Sequence, residues 1–412
     1  MKKFHLFDVF GVELEYMITH RHLLQIAPVA DQIFIRQNDS PEGEYANGKI
    51  SWSNELVSHV VELKTTSPEP VLAGLESEFQ KNVQQINRIL NQEGCLLLPS
   101  ACHPMMDPFT ETRIWPHDQH EIYELYNRIF DCRGHGWSNV QSTHLNLPFF
   151  DDTEFDRLHT AIRLILPALP ALCASSPILN GKYTGYKDSR MHFYQFNQRE
   201  IPIITGKVIP EYVRSQEEYQ IRIFDPINTA LSPFDEQHIL DHHFVNSRGA
   251  IARFDRGAIE IRVMDIQEFP KADLGIISLV VEVLKSLVYE EWSDYDVQAQ
   301  WHENDLYCIL SESIQNAEQG RIPYGQYGQY FGMENPKPVT FHDLWEGLFQ
   351  KVGDRLSYQN QVVLEHILEK GSLSARIAQS LGNDFTNDRI IGVYQTLADC
   401  LEEGQLFSAS MT

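Results

Sequence analysis

Acidic side chains recur at strand spacing in separate segments of this chain, and carboxylates so arranged can hold a hard divalent cation. In FGVELEYM, Glu13 and Glu15 are two apart, so both project from one face of an extended segment while Val12, Leu14 and Tyr16 take the other. In STHLNL, His144 and Asn146 share a face opposite Thr143, Leu145 and Leu147; in AIEIRV, Glu260 and Arg262 share a face opposite Ile259, Ile261 and Val263. Glu62 lies within VVELKT, between apolar neighbours. Glu55 stands seven residues earlier, which on one continuous strand would put it on the opposite face from Glu62. A turn between them is needed for the two to meet.

Each segment has an ordinary reading by itself: a solvated face for Glu13 and Glu15, a satisfied core histidine for His144, a surface ion pair for Glu260 with Arg262. Together they describe a polar face that is costly to bury without a cation. Carboxylate oxygens select magnesium or manganese, and a single imidazole does not demand zinc. The chain has neither an HExxH helix nor a cysteine ligand set, which argues against a zinc hydrolase.

The elements that must position these residues follow from hydrophobic period. Residues 10–18 alternate as a strand, a polar, turn-rich stretch runs from about Gln37 to Ser53, and VVELKTT reads as a strand. Leu72, Leu75, Phe79, Val83, Ile86, Ile89 and Leu90 recur at helical spacing, ended by Gly94. CLLLPSACHP is a short strand, residues 119–132 a helix, and VQSTHLNLPF another strand. Asp151, Asp152 and Thr153 can cap a helix running to about Ala174, with Pro167 and Pro170 distorting its last turns. Residues 181–235 read as largely irregular. AIARFDRGAIEIRVMD predicts two strands joined at Asp255-Arg256-Gly257. From Pro270 the pattern is helical. The expected class is α+β with a mainly antiparallel sheet, as one catalytic domain over residues 1–412: a sheet-rich core, 1–269, and a mostly helical part, 270–412, packed on it.

Composition narrows the function class. The chain has 412 residues, with 57 Asp and Glu against 33 Lys and Arg, a net charge of −24. Such a surface repels nucleic acid and anionic membrane, so neither is an expected partner. Any polyanionic nucleotide would need metal ions or local arginines to bind. Asp8, Glu13 and Glu15 interrupt the early apolar stretch, so no secretory signal is read there, and no run reaches a membrane span. Leu274 to Val288, carrying Glu282 and Lys285, reads as a buried or amphipathic helix. The six cysteines form no CxxC pair, which suits reduced thiols and a cytoplasmic location. A homodimer is compatible with the sequence, which does not specify oligomeric state.

The pieces FGVELEYMI, ELVSHVVELKTTSP, STHLNLPF, ALCASSPILNGKYTGYKDSRM and AIEIRVMD resemble, in order, those of the glutamate–cysteine ligases and related carboxylate–amine ligases, which have a glutamine-synthetase-like fold. LEHILEKGSLSARIAQSLGND is similar to the family's C-terminal helices. The resemblance implies a funnel-shaped active site lined by a curved antiparallel sheet, with ATP entering from one end and amino acids from the other. Carried over by position, Glu13, Glu15, Glu55, Glu62, His144 and Glu260 resemble the ligands of magnesium (or manganese). Asn146 resembles a contact to the nucleotide phosphates, and Arg262, beside Glu260, the catalytic cation that meets the transferred phosphoryl group. Arg190 resembles the arginine that holds a substrate carboxylate, with Tyr186 a second substrate contact. Two departures stand out. The HLN strand differs from the HVHVG form of some carboxylate–amine ligases, and FNQREIPIITGKVIPEYV, after Arg190, matches nothing in the pattern.

The activity so implied is ATP-dependent joining of glutamate to cysteine, the γ-glutamylcysteine step of glutathione biosynthesis, through an acyl phosphate. The same chemistry on a different amine or acid is the alternative, and a non-catalytic homologue would be expected to lack a ligand. No Walker A loop is present: SPILNGKYTG has Gly181, Lys182 and Gly185 without GKS/T spacing, and reads as a turn or, by its place in the resemblance, a substrate loop. The general base is unassigned. His103, His135 and Cys102 read as structural.

Overall fold

The computed structural model describes residues 2–333 and 340–409. Its strands are β1 (Gly11–His20), β2 (Glu44–Asn47), β3 (Ile50–Asn54), β4 (Val60–Thr65), β5 (Cys95–Leu98), β6 (Ser142–Pro148), β7 (Ile178–Leu179), β8 (Lys182–Tyr183), β9 (Ala250–Arg253) and β10 (Ala258–Asp265). They form an open sheet in the order β2-β3-β4-β1-β6-β10-β9, with β5 added to the far half of β1; β7 and β8 pair as a separate hairpin. Every named ladder is antiparallel.

Alternation explains which face each strand buries. Val12, Leu14, Tyr16, Leu63, Leu145, Leu147, Ile259 and Ile261 are fully buried in one apolar cluster with Phe79, Val83, Ile86, Ile162, Ile276 and Leu284. These last come from the helices Leu75–Leu90, Asp152–Ile165 and Pro270–Val288. Each strand side chain so buried contributes about 2 kcal/mol relative to exposure, which pins the sheet register, because a one-residue slip would turn the acidic side chains into this core. Pro270–Val288 is buried nearly all round, and Glu282 and Lys285 pair with each other at 2.7 Å. Among the described residues, no helix is long and apolar enough to cross a membrane.

Local chemistry sets the helix ends. The Asp151 carboxylate accepts from the Glu154 N–H at 3.0 Å and starts Asp152–Ile165. Pro167 and Pro170 then break the helix as expected, into a 3-10 turn, Leu166–Ala168, and a short helix, Leu169–Cys173. Gly94 ends the turn after Leu75–Leu90 at φ 68°. From Pro270 onward the elements are helical. The helices Leu373–Leu381 and Asn387–Glu403 close a second apolar cluster with Leu96, Leu98 and Ile178. Arg376, buried against Glu268, ties them to the chain just after β10 and also donates to the Phe407 carbonyl at 2.8 Å.

Two segments differ from the sequence expectation. The stretch from Gln37 to Ser53, read as turn-rich, contains the hairpin β2–β3. Its Gly48-Lys49 turn has Gly48 at φ 72°, and only Ile50 and Trp52 give β3 an apolar alternation. Residues 181–235, read as irregular, hold the short helices Ser189–Tyr194, Gln216–Tyr219 and Asp225–Leu231. The first two are set by single side-chain caps, Asp188 and Ser215, rather than by a long amphipathic period.

Candidate active site

The sheet register assembles the polar residues. Glu13 lies opposite His144 and Lys64, Glu15 opposite Glu62, and Glu260 opposite Asn146. Directly paired residues share a face, so β4, β1, β6 and β10 present one continuous polar patch opposite the apolar core. The Glu13 carboxylate faces His144 Nδ1 at 2.9 Å and accepts from Asn146 Nδ2 at 3.0 Å. Glu15 accepts from the Ser142 N–H at 2.7 Å and from its hydroxyl at 2.9 Å. Glu62 takes the Ser53 hydroxyl at 2.6 Å and pairs with Lys64 at 2.9 Å. Glu260 binds the Arg262 guanidinium.

Glu55 joins this patch, and the antiparallel fold explains how. Ser53 on β3 pairs with Glu62 on β4, so the chain reverses between Glu55 and Glu62. Glu55 follows Ser53 by two residues and takes its face. The seven-residue spacing that argued against a shared face does not run along one strand.

Two donor sets result. Ligand atoms of Glu13, Glu62 and His144 lie within 4.8 Å of one another, as do those of Glu15, Glu55 and Glu62. Oxygen-rich sets of this kind fit one or two hard divalent cations. The electrostatics agree. Burial, and then neighbouring carboxylate charge, push Glu55 well above the usual carboxylate range, and Glu15 and Glu62 are raised in the same way. Burial lowers His144, but the Glu13 hydrogen bond and the charges of Glu15, Glu13 and Glu260 outweigh it and carry its pKa up to about 9. Burial raises Glu260, but the Arg262 and His144 charges pull it down to about 2. The patch therefore sets cationic groups, Arg262 on Glu260 and Lys64 on Glu62, among acids that repel one another.

This patch is the floor of a cavity of about 870 Å³. Basic residues (Lys2, Arg253, Arg256 and Arg190) and aromatic ones (Tyr126, Trp137 and Tyr194) also line it. All six acidic and imidazole candidates, with Asn146, Arg262 and Arg190, are brought together. Tyr186 is not: it lies outside the cavity lining and stacks on His192 with ring centroids 3.8 Å apart. Asn180 and Gly181 make the β7–β8 turn, Lys182 and Tyr183 are β8 itself, and none of residues 181–185 lines the cavity. His103 is structural: Nδ1 accepts from the Met105 N–H at 3.2 Å, so Nε2 is the donor to the Leu24 carbonyl at 2.6 Å. His135 contacts Asn139 and Asn180. Cys102 is buried, its thiol pushed well above the ordinary range by burial and by the Asp265 charge, which makes it inert.

Lys64, Ser142 and Ser53 were missed by reasoning from sequence. The signal for the first two was available: Lys64 is two residues from Glu62, and Ser142 two from His144, so alternation puts them on the polar face.

The model of glutamate–cysteine ligase family 2 (GCS2) matches residues 9–319. The chain belongs to that family. Membership places it among ligase-type enzymes. An uncharacterized protein of Archaeoglobus fulgidus is 30% identical over 397 residues, 96% of this chain and 99% of its own. A protein of Bradyrhizobium sp. (strain ORS 278) named "Putative glutamate--cysteine ligase 2" is 26% identical over 238 residues, 56% of this chain and 52% of its own. Among solved structures, the family fold recurs in a bifunctional glutathione synthetase from Pasteurella multocida (TM-score 0.66, 12% identity, 97% of this chain and 53% of that one). It recurs too in a glutamate–cysteine ligase from Francisella tularensis in complex with AMP (TM-score 0.59, 11% identity, 98% and 90%).

Proposed function

We propose that this family member is an ATP- and magnesium-dependent carboxylate–amine ligase that joins glutamate to cysteine. The observation that carries the reading is the convergence of five carboxylates and one imidazole beside a paired arginine on a single sheet face. The AMP complex of the Francisella tularensis ligase supports a nucleotide substrate.

In this reading Glu13, Glu15, Glu55, Glu62, His144 and Glu260 hold the divalent cations. Magnesium held by these residues would supply positive charge to the phosphates of ATP, which would let so acidic a site accept a polyanion. Asn146 orients the phosphates. Arg262, fixed by Glu260, supplies a positive charge that needs no reorganisation as the γ-phosphoryl group moves to the substrate carboxylate. Arg190 holds a second carboxylate of the acid substrate. The amine then attacks the acyl phosphate and phosphate leaves. Pure protein with magnesium, ATP, glutamate and cysteine should release phosphate only when both amino acids are present. A folded sample that shows no such dependence would reject the reading.

The same chemistry with a bulkier apolar amine is favoured by one feature, the aromatic wall of Tyr126, Trp137 and Tyr194. A screen of amines by ADP release separates the two, and strict preference for cysteine removes the second.

A further inference from the structure

Arg190 lines the cavity, is 2% exposed, and has an incomplete set of partners. Its Nε donates to Asp265 at 2.5 Å, and Nη1 to the Arg262 carbonyl at 3.3 Å. Nη2 has no partner among the described residues. A buried guanidinium nitrogen left unpaired is costly, and an anionic ligand is the group that satisfies it.

The orientation of this guanidinium is built by Asp265, which is fully buried. Its second oxygen accepts from the Ser175 N–H at 2.8 Å and the Ser176 hydroxyl at 2.9 Å. The same Ser176 oxygen accepts from the Arg190 N–H at 3.1 Å, so one serine binds both members of the pair. A β-bulge brings Asp265 to this place. On β10, Ile261 pairs with Leu145 but Met264 with Thr143, so one extra residue lies between them. Without it, Asp265, five residues after Glu260, would point to the opposite face. With it, Asp265 lies opposite Ser142, on the face of Glu260. Asp188 caps the helix of Arg190, and burial and the Asp265 charge push its carboxyl well above the usual range; the carboxylate in direct contact with the Arg190 guanidinium is Asp265.

We propose that Asp265, through Ser176, is a positioning residue: it claims Arg190 Nε and thereby presents Nη2 to the carboxylate of the acid substrate. The inference rests on the ligase reading for the identity of that substrate. Neither Asp265 nor Ser176 lines the cavity, so both act on a bound ligand only through Arg190.

Calorimetric titration of L-glutamate and, separately, of magnesium–ATP into wild type, Asp265→Asn and Ser176→Ala tests it. Asparagine keeps the shape, but its amide nitrogen cannot accept from Nε. The glutamate Kd should rise about tenfold or more in Asp265→Asn, the scale of one lost charge-assisted hydrogen bond, and about threefold in Ser176→Ala, where Asp265 stays but loses one support, with the magnesium–ATP Kd unchanged. Ser176→Ala keeps the test alive if Asp265→Asn does not fold. An unchanged glutamate Kd, equal weakening toward both ligands, or no glutamate binding by wild type overturns the proposal. Phosphate release is scored separately. Weakened glutamate binding without any release by wild type rejects the ligase reading and leaves the positioning role intact. Release with unaltered glutamate binding does the reverse.

Discussion

Glu15 and Glu62 lie directly opposite each other across the β1–β4 pair, both nearly buried and on the same face. Like charges at paired positions destabilise a sheet, and Glu55 adds a third carboxylate to the pair. The folded protein should therefore gain stability from magnesium or manganese. At a hundred times its Kd a cation adds about 2.7 kcal/mol, read as a higher Tm. Glu62→Gln should raise the Tm without metal, because it removes one repelling charge, and should lose most of the metal-induced increase. A metal-induced shift as large in Glu62→Gln as in wild type would contradict the ligand assignment.

Arg262 pairs with Glu260, which belongs to neither of the two close donor sets, so loss of Arg262 leaves both sets in place. Arg262→Gln should lower kcat by roughly 10²- to 10³-fold, the usual loss when one preorganised donor is removed. It should leave the metal-induced Tm increase in place. Steady-state kinetics alongside thermal unfolding decide this, and a variant that keeps kcat would remove Arg262 from the chemistry.

Three buried histidines away from the polar patch predict how stability responds to acid. Burial holds His59 and His103 down to about 4; burial and the Arg163 charge hold His159 down to about 3. The unfolded chain takes up these protons near pH 6.5, the folded protein only near 4 or below. Across that window the unfolded state binds more protons, so stability present at neutral pH is lost as pH falls from about 6.5 towards 3. Each histidine withdraws on the order of 3 kcal/mol over its full window. Urea midpoints measured from pH 7 down to 4 should fall, and His159→Leu should flatten part of that fall. Identical pH slopes in wild type and variant would contradict the assignment.

How much of this could be read in advance depended on period. β1, β6 and β10 alternate cleanly, so Glu13, Glu15, His144, Asn146, Glu260 and Arg262 were assigned to faces by spacing alone. Glu55 was not, because the β3–β4 reversal that restores its phase is marked only by a short, polar strand. Asp265 escaped for a related reason: the bulge after Ile261 inverts the alternation, and a one-residue insertion leaves no trace in hydrophobicity. Tyr186 shares a segment with Arg190, but the turn between them sends its ring to His192 instead of the cavity.

The central claim is that this site activates a carboxylate by phosphorylating it. Glutamate labelled with heavy oxygen in its side-chain carboxylate, supplied with ATP, magnesium and cysteine, tests that step directly. An acyl phosphate passes one carboxylate oxygen to the departing phosphate, so the account predicts one labelled oxygen in the phosphate for each amide formed. Amide formation with unlabelled phosphate, or with AMP and pyrophosphate as products, would contradict it.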